Sequence, residues 1–113
     1  MKEDFSQYTE SQNETAKIAS ALAHPARIAI LQYIIDNGGC CFTNINHILP
    51  LAKSTTSRHI KELLDVGLII SDDNAARPKY CINKEMTAQA RNLFALVLNC
   101  NCTNKENYEE KQE

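Results

Sequence analysis

The stretch "STTSRHIKELLDVG", residues 54–67, constrains the fold of this chain more than any other. Thr56, Ile60, Leu63 and Leu64 fall at helical spacing, so a helix here turns one apolar stripe inward. Ser54, Ser57, Arg58 and Lys61 then lie on the opposite side, and no acid stands between Lys53 and Lys61. Gly67 suits the end of such a helix. "LII" follows at once as a strand, "SDDNAA" as a turn and "RPKYCI" as a returning strand. A solvated helix face would account for the basic residues alone. It does not account for a basic helix feeding directly into a hairpin.

The flanking segments complete the pattern. "ETAKIASALA" sets Ile18, Ala21 and Leu22 on one side and stops at His24-Pro25. Proline disfavours helix in the residue before it and suits a first helical position. A second helix therefore starts at Pro25, "PARIAILQYIID", with Ile28, Leu31, Ile34 and Ile35 at helical spacing, and "NGG" ends it. A short helix "TNINHIL" stops at Pro50, and "KEMTAQARNLFALVLN" is the last helix, with Met86, Ala90, Leu93, Phe94, Val97 and Leu98 apolar. Pro78 cannot donate to a strand ladder, which predicts an edge position. The expected fold is mainly α with a small β-hairpin, in the order α-α-α-α-β-β-α. That is a winged helix-turn-helix, whose basic helix lies in the major groove of double-stranded DNA. The groove wants cations and small hydrogen-bonding groups rather than acids.

Charge is distributed in keeping with this. The 113 residues carry a formal net charge of −2, yet both ends are acidic and the middle is slightly basic. Residues 1–13 read as a mobile acidic arm, 14–102 as one DNA-binding and dimerisation domain, and 103–113 as a polar acidic tail. Hydrophobic residues make up 43% and aromatic residues only 6%, so aliphatic side chains build the core. No apolar run has the roughly 18 residues of a membrane span, and the polar N-terminus is unlike a secretory signal. A cytoplasmic protein with no membrane partner is expected. Five cysteines, an odd count, argue against a complete disulfide framework.

"ALAHPARIAILQYI", "LPLAKSTTSRHIKELLDVGLI" and "KYCIN" together resemble the ArsR/SmtB family of bacterial winged-helix repressors, over roughly residues 16–98. The resemblance implies a homodimer joined through the first and last helices. It implies repression of a metal-export, metalloid-resistance or thiol-stress operon, relieved when an inducer weakens the DNA complex. The family's DNA-reading face falls on Lys53, Ser54, Thr55, Ser57, Arg58 and His59, with Lys61 on the same helix and Arg77 and Lys79 as wing contacts to phosphate. Two departures stand out. Ala52 replaces a common capping Ser, which weakens the helix start by about 1 kcal/mol. The acidic wing tip opposes deep insertion into the minor groove. A winged-helix dimer reads an inverted-repeat operator.

The cysteines raise the question of an inducer. Cys40 and Cys41 precede the short third helix, and Cys100 and Cys102 close the last one. The resemblance matches Cys40 to the first thiol of an arsenic-sensing motif and puts Phe42 where the second would stand. Successive helical residues point about 100° apart, so neither pair converges on one ion within regular helix. Each needs a frayed end or a loop. Thiolates select soft ions, so arsenite or antimonite on three sulfurs is the leading inducer, then a soft divalent metal. Cys40, Cys41, Cys100 and Cys102 are the candidate ligands. His24 and His47 are possible completions of a zinc site, although isolated histidines are more often structural. A disulfide or polysulfide bridge between a thiol near residue 40 and one in the last helix is the redox alternative. Cys81, inside a strand, reads as a core residue. A winged-helix DNA-binding protein with no small-molecule sensor is the other alternative. DNA binding itself is expected to need no cofactor. No phosphate loop, HExxH or isolated carboxylate pair supports an enzyme.

Overall fold

A computed structural model describes residues 4–74 and 76–100. A single 3₁₀ turn at Phe5–Gln7 comes first. Helix α1, Glu10–Ala21, then begins four residues before the boundary expected at residue 14. Its start is a reciprocal cap: Gln12 N–H donates to Thr9 Oγ1 (3.1 Å), and Thr9 N–H donates to Gln12 Oε1 (2.9 Å). That exchange satisfies two amides that a helix end leaves without partners. Asn13 Nδ2 also donates to Phe5 O (3.1 Å), which ties the turn to the helix.

Helix α2, Pro25–Asn37, starts at the proline and meets α1 at 91°. Gly38 ends it in the left-handed conformation, φ 65°, and Gly39 N–H reaches back to Ile34 O (3.1 Å). Strand β1, Cys40–Cys41, follows immediately and leads into α3, Phe42–His47. The chain then forms α4, Lys53–Asp65, β2, Ile69–Asp72, β3, Lys79–Ile82, and α5, Lys84–Leu98. Asn83 caps α5 by accepting from Met86 N–H at 3.2 Å.

The sheet corrects the expected two-stranded hairpin. It has three antiparallel strands in the order β1-β3-β2, with Cys40 opposite Tyr80 and Ile69 opposite Ile82. β3 is therefore the central strand, not an edge. Pro78 is accommodated because it stands one residue before the ladder begins, where no donor is required.

The core is almost wholly aliphatic. Ile18 of α1, Ile30 and Ile34 of α2, Ile45 of α3, Ile60 and Leu63 of α4, and Leu68 and Ile69 meet there with Cys40 and Ala90. Two expected inward residues do not join it. α2 buries Ala26, Ile30 and Ile34, one turn apart, and this rotation leaves Ile28 and Ile35 on the surface. In α5 only Ala90 is buried, while Leu96, Val97 and Leu98 are 70%, 59% and 76% exposed. No single described helix is long and apolar enough to cross a membrane.

Candidate nucleic-acid interface and thiol positions

α4 divides cleanly between an inner and an outer face. Thr56, His59, Ile60 and Leu63 are buried, which anchors the helix on the core. Lys53, Ser54, Ser57, Arg58 and Lys61 are exposed, and Thr55 is half-buried. The five exposed residues recur at the spacing of one helical face, so they form a single cationic, hydroxyl-bearing strip. Ala52 supplies no side-chain cap, as its type dictates. Lys61 is not a free cation: its Nζ donates to Asp65 Oδ2 at 3.0 Å. That hydrogen bond and the Asp65 charge hold its pKa above the ordinary lysine range.

His59 does not belong to the outer strip, contrary to expectation. It is 6% exposed, and its Nδ1 accepts from Arg27 Nε at 3.0 Å. Its ring lies against His24, with centroids 4.5 Å apart. Burial, then His24, Arg27 and Arg58, push its pKa below the ordinary histidine value, against a smaller opposing pull from Glu62. A signal for this was present: 56, 59, 60 and 63 follow the i, i+3, i+4, i+7 rule of one buried face. Sequence reasoning missed Arg27 altogether. Besides His59, its guanidinium binds the last carbonyls of α1, Ser20 O at 3.2 Å and Ala21 O at 3.3 Å.

The wing residues Arg77 and Lys79 are exposed. The acids of the wing turn are engaged locally: Ser71 Oγ donates to Asp73 Oδ1 (2.9 Å), and Asn74 N–H donates to Asp72 Oδ1 (3.1 Å). Lys79 stands opposite both Cys41 and Asp72 across the sheet.

The thiols are dispersed. Cys40 and Cys41 sit in β1 rather than in a loop or a frayed helix end, and neighbours in a strand face opposite ways. Cys40 is buried, with its Sγ 3.9 Å from Tyr33 O, and burial raises its pKa. Cys41 is half-buried, and the register puts it on the sheet face that Lys79 and Cys81 share. Cys100 lies just past α5 and is exposed. Cys102 falls outside the described residues. Among the described residues, no three His, Cys, Asp or Glu side chains come close enough to hold a metal ion. His24 meets His59 rather than a thiol, and His47 is exposed at the end of α3. The expected four-thiol set is thus not assembled by the described residues of one chain.

An apolar groove of about 550 Å³ runs between α2 and α5, lined by Leu22, Leu31, Ile35, Leu68, Phe94 and Leu98 among others. It opens beside the exposed end of α5.

Comparison with known proteins places this arrangement. Residues 22–72 match a family described as "Helix-turn-helix domain". The chain is 32% identical over 82 residues to the HTH-type transcriptional regulator YgaV of Escherichia coli K12, covering 73% of this chain and 83% of that protein. It is 31% identical over 65 residues to the arsenical resistance operon repressor of Bacillus subtilis, covering 58% and 62%. In fold it is similar to a homodimeric winged helix-turn-helix DNA-binding domain from Mycobacterium bovis, a possible ArsR-family transcriptional regulator. The TM-score there is 0.63 at 18% identity, covering 86% of this chain and 90% of that one.

Proposed function

The chain belongs to the ArsR/SmtB family of winged helix-turn-helix transcriptional regulators, a non-enzymatic DNA-binding class, and on that premise we propose how it binds DNA and what releases it. It acts as a homodimeric repressor that sets one α4 into each half of an inverted-repeat operator. Lys53, Ser54, Thr55, Ser57 and Arg58 meet the major groove. Arg77 and Lys79 meet phosphate from the wing. The observation that carries this reading is the division of α4 into a buried apolar face and an exposed strip of cations and hydroxyls. Base edges and phosphates ask for those groups, and the buried face holds the helix at a fixed pose. The engagement of Asp65 with Lys61 makes Arg58 and Lys53 the stronger phosphate partners.

Pairing through α1 and α5 is supported by the groove and by the exposed Leu96, Val97 and Leu98, which a second copy would cover. Half-sites about 34–36 Å apart, or a multiple of that, would match such a dimer.

Binding of a promoter duplex at several salt concentrations tests the DNA face. Each phosphate contact removed should lower the slope of log affinity against log salt by about 0.9. Arg58→Ala and Lys53→Ala are expected to show that drop with the fold intact. Unchanged slopes and affinities for both variants would overturn the assignment of α4.

Release follows capture of a thiophilic inducer by the cysteines. Arsenite or antimonite suits sulfur ligands, and a relative is named for arsenical resistance. Three sulfurs would have to be completed by a second subunit or by the chain beyond the described residues, since Cys40, Cys41 and Cys100 form no such group. The absence of a three-ligand group among the described residues favours a second reading, in which a persulfide donor oxidises a thiol pair. One thiol takes the donor's outer sulfur and releases the donor as a thiol; the second thiol then closes the bridge and releases sulfide, so two sulfurs suffice rather than three. Titrating the reduced protein–DNA complex with arsenite, cadmium, zinc and persulfide in turn separates the readings. Release by none of them, or release that survives removal of all four clustered cysteines, would refute a thiol sensor.

A further inference from the structure

We propose that His24, Arg27 and His59 form a proton-sensitive latch that positions the recognition helix, so that acidification weakens DNA binding. The latch spans three elements. Arg27, in the first turn of α2, holds the end of α1 through Ser20 O and Ala21 O, and holds α4 through His59 Nδ1. His24, the residue that caps α2, accepts Ala26 N–H on its own Nδ1 at 3.0 Å. Its ring packs on that of His59.

Both imidazoles therefore use Nδ1 as an acceptor, which only a neutral ring can do. Arginine stays charged at any relevant pH, so Arg27 Nε–H is always a donor. A proton on His59 Nδ1 would set donor against donor and cation against cation at a ring that is itself buried, although its partners are not: Arg27 is half-buried and His24 exposed. The groups facing His59 are His24 and Arg27 from α2, and Arg58 and Glu62 from α4 itself; all but Glu62 oppose its charging. His59 precedes Ile60 and follows Arg58, so losing its anchor frees the very turn that presents Ser57 and Arg58.

Histidine changes charge between about pH 5 and 8, which puts the transition in an accessible range. The predicted direction is also the less usual one. Cations added near DNA ordinarily strengthen binding, whereas here protonation disrupts the pose of the helix.

The inference deepens the assignment of α4 to DNA, and the salt-slope test above fails first if that assignment is wrong. The latch is tested by anisotropy of a labelled promoter duplex from about pH 8 to about pH 5.5 at fixed ionic strength. The comparison protein is the double variant His24→Asn, His59→Asn. Asn Oδ1 stands where Nδ1 did, accepts the same hydrogen bonds and does not titrate, and Asn is itself a strong helix cap. The wild type should lose severalfold more affinity across the range than the variant; one pKa unit between bound and free protein sets a ceiling of about tenfold, reached only below both pKa values. In parallel, NMR titration of the wild-type imidazoles should find His59 taking up its proton below the ordinary range, and Arg27→Gln should bring it upward. Identical pH profiles for wild type and variant, a wild-type affinity that rises on acidification, or a His59 titration indifferent to Arg27→Gln would each overturn the latch.

Discussion

Gly38 and Gly39 are adjacent, both have positive φ, and alanine should cost very different amounts at each. Gly38 sits at φ 65° with nothing within 4 Å of where a Cβ would lie. Its penalty is the backbone alone, about 1 kcal/mol for a non-glycine residue in the left-handed helical region. Gly39 sits at φ 120°, and its Cβ would lie 2.7 Å from Lys79 Cε, 3.1 Å from Cys81 Sγ and 3.4 Å from Tyr80 O. Strain in that region costs about 1–3 kcal/mol before any contact is counted. Lys79 can swing away at little cost, but Cys81 belongs to the central strand and Tyr80 O is backbone, so neither yields freely. About 3 kcal/mol is expected for Gly39→Ala against about 1 kcal/mol for Gly38→Ala. At about 4 °C per kcal/mol for a domain this size, the melting temperatures should drop by about 12 °C and about 4 °C. Differential scanning calorimetry of the two reduced variants measures both. Gly39→Ala also pushes on the junction that delivers Cys40 and Cys41, so their alkylation rates should change in that variant only. Equal melting temperatures, or a larger drop for Gly38→Ala, would refute the close approach of the α2–β1 junction to β3.

Three other outcomes follow from single sites. Ala52→Ser gives α4 the cap it lacks and should raise stability by about 1 kcal/mol, read as a melting temperature about 4 °C higher. Cys40, buried and with its pKa raised, should alkylate at about pH 8 at least about tenfold more slowly than the exposed Cys100, and peptide mass spectrometry should show the difference vanish in denaturant. Because the folded state depresses the pKa of His59, the unfolded chain binds the proton more readily. Stability should be complete above about pH 6.5 and fall as pH drops toward the folded pKa, and urea melts across that window should flatten in His59→Asn.

Local chemistry determined a large part of this protein in advance. Pro25, Gly38 and Gly67 punctuate the helices through their own backbone preferences, and the two faces of α4 follow from residues three and four apart. The order of the helices, their approximate positions and the outward strip of Lys53, Ser57 and Arg58 could all be read within one or two turns of chain. The start of α1 was legible too, in the Thr9 and Gln12 pair, although net charge pointed to an arm instead. What lay beyond such reading is what depends on distant partners. β1 is a strand only because β3, some forty residues later, lends it a ladder, and two residues carry no periodicity of their own. The inward turn of His59 could be read from its spacing to Thr56, Ile60 and Leu63, but its partner there, Arg27, lies 32 residues away and could not. The rotation that buries Ile30 while exposing Ile28 and Ile35 depends on where the neighbouring elements sit. The separation of the thiols onto opposite sheet faces and a far helix end likewise comes from packing, because burial is a property of the assembled elements and no residue carries it alone.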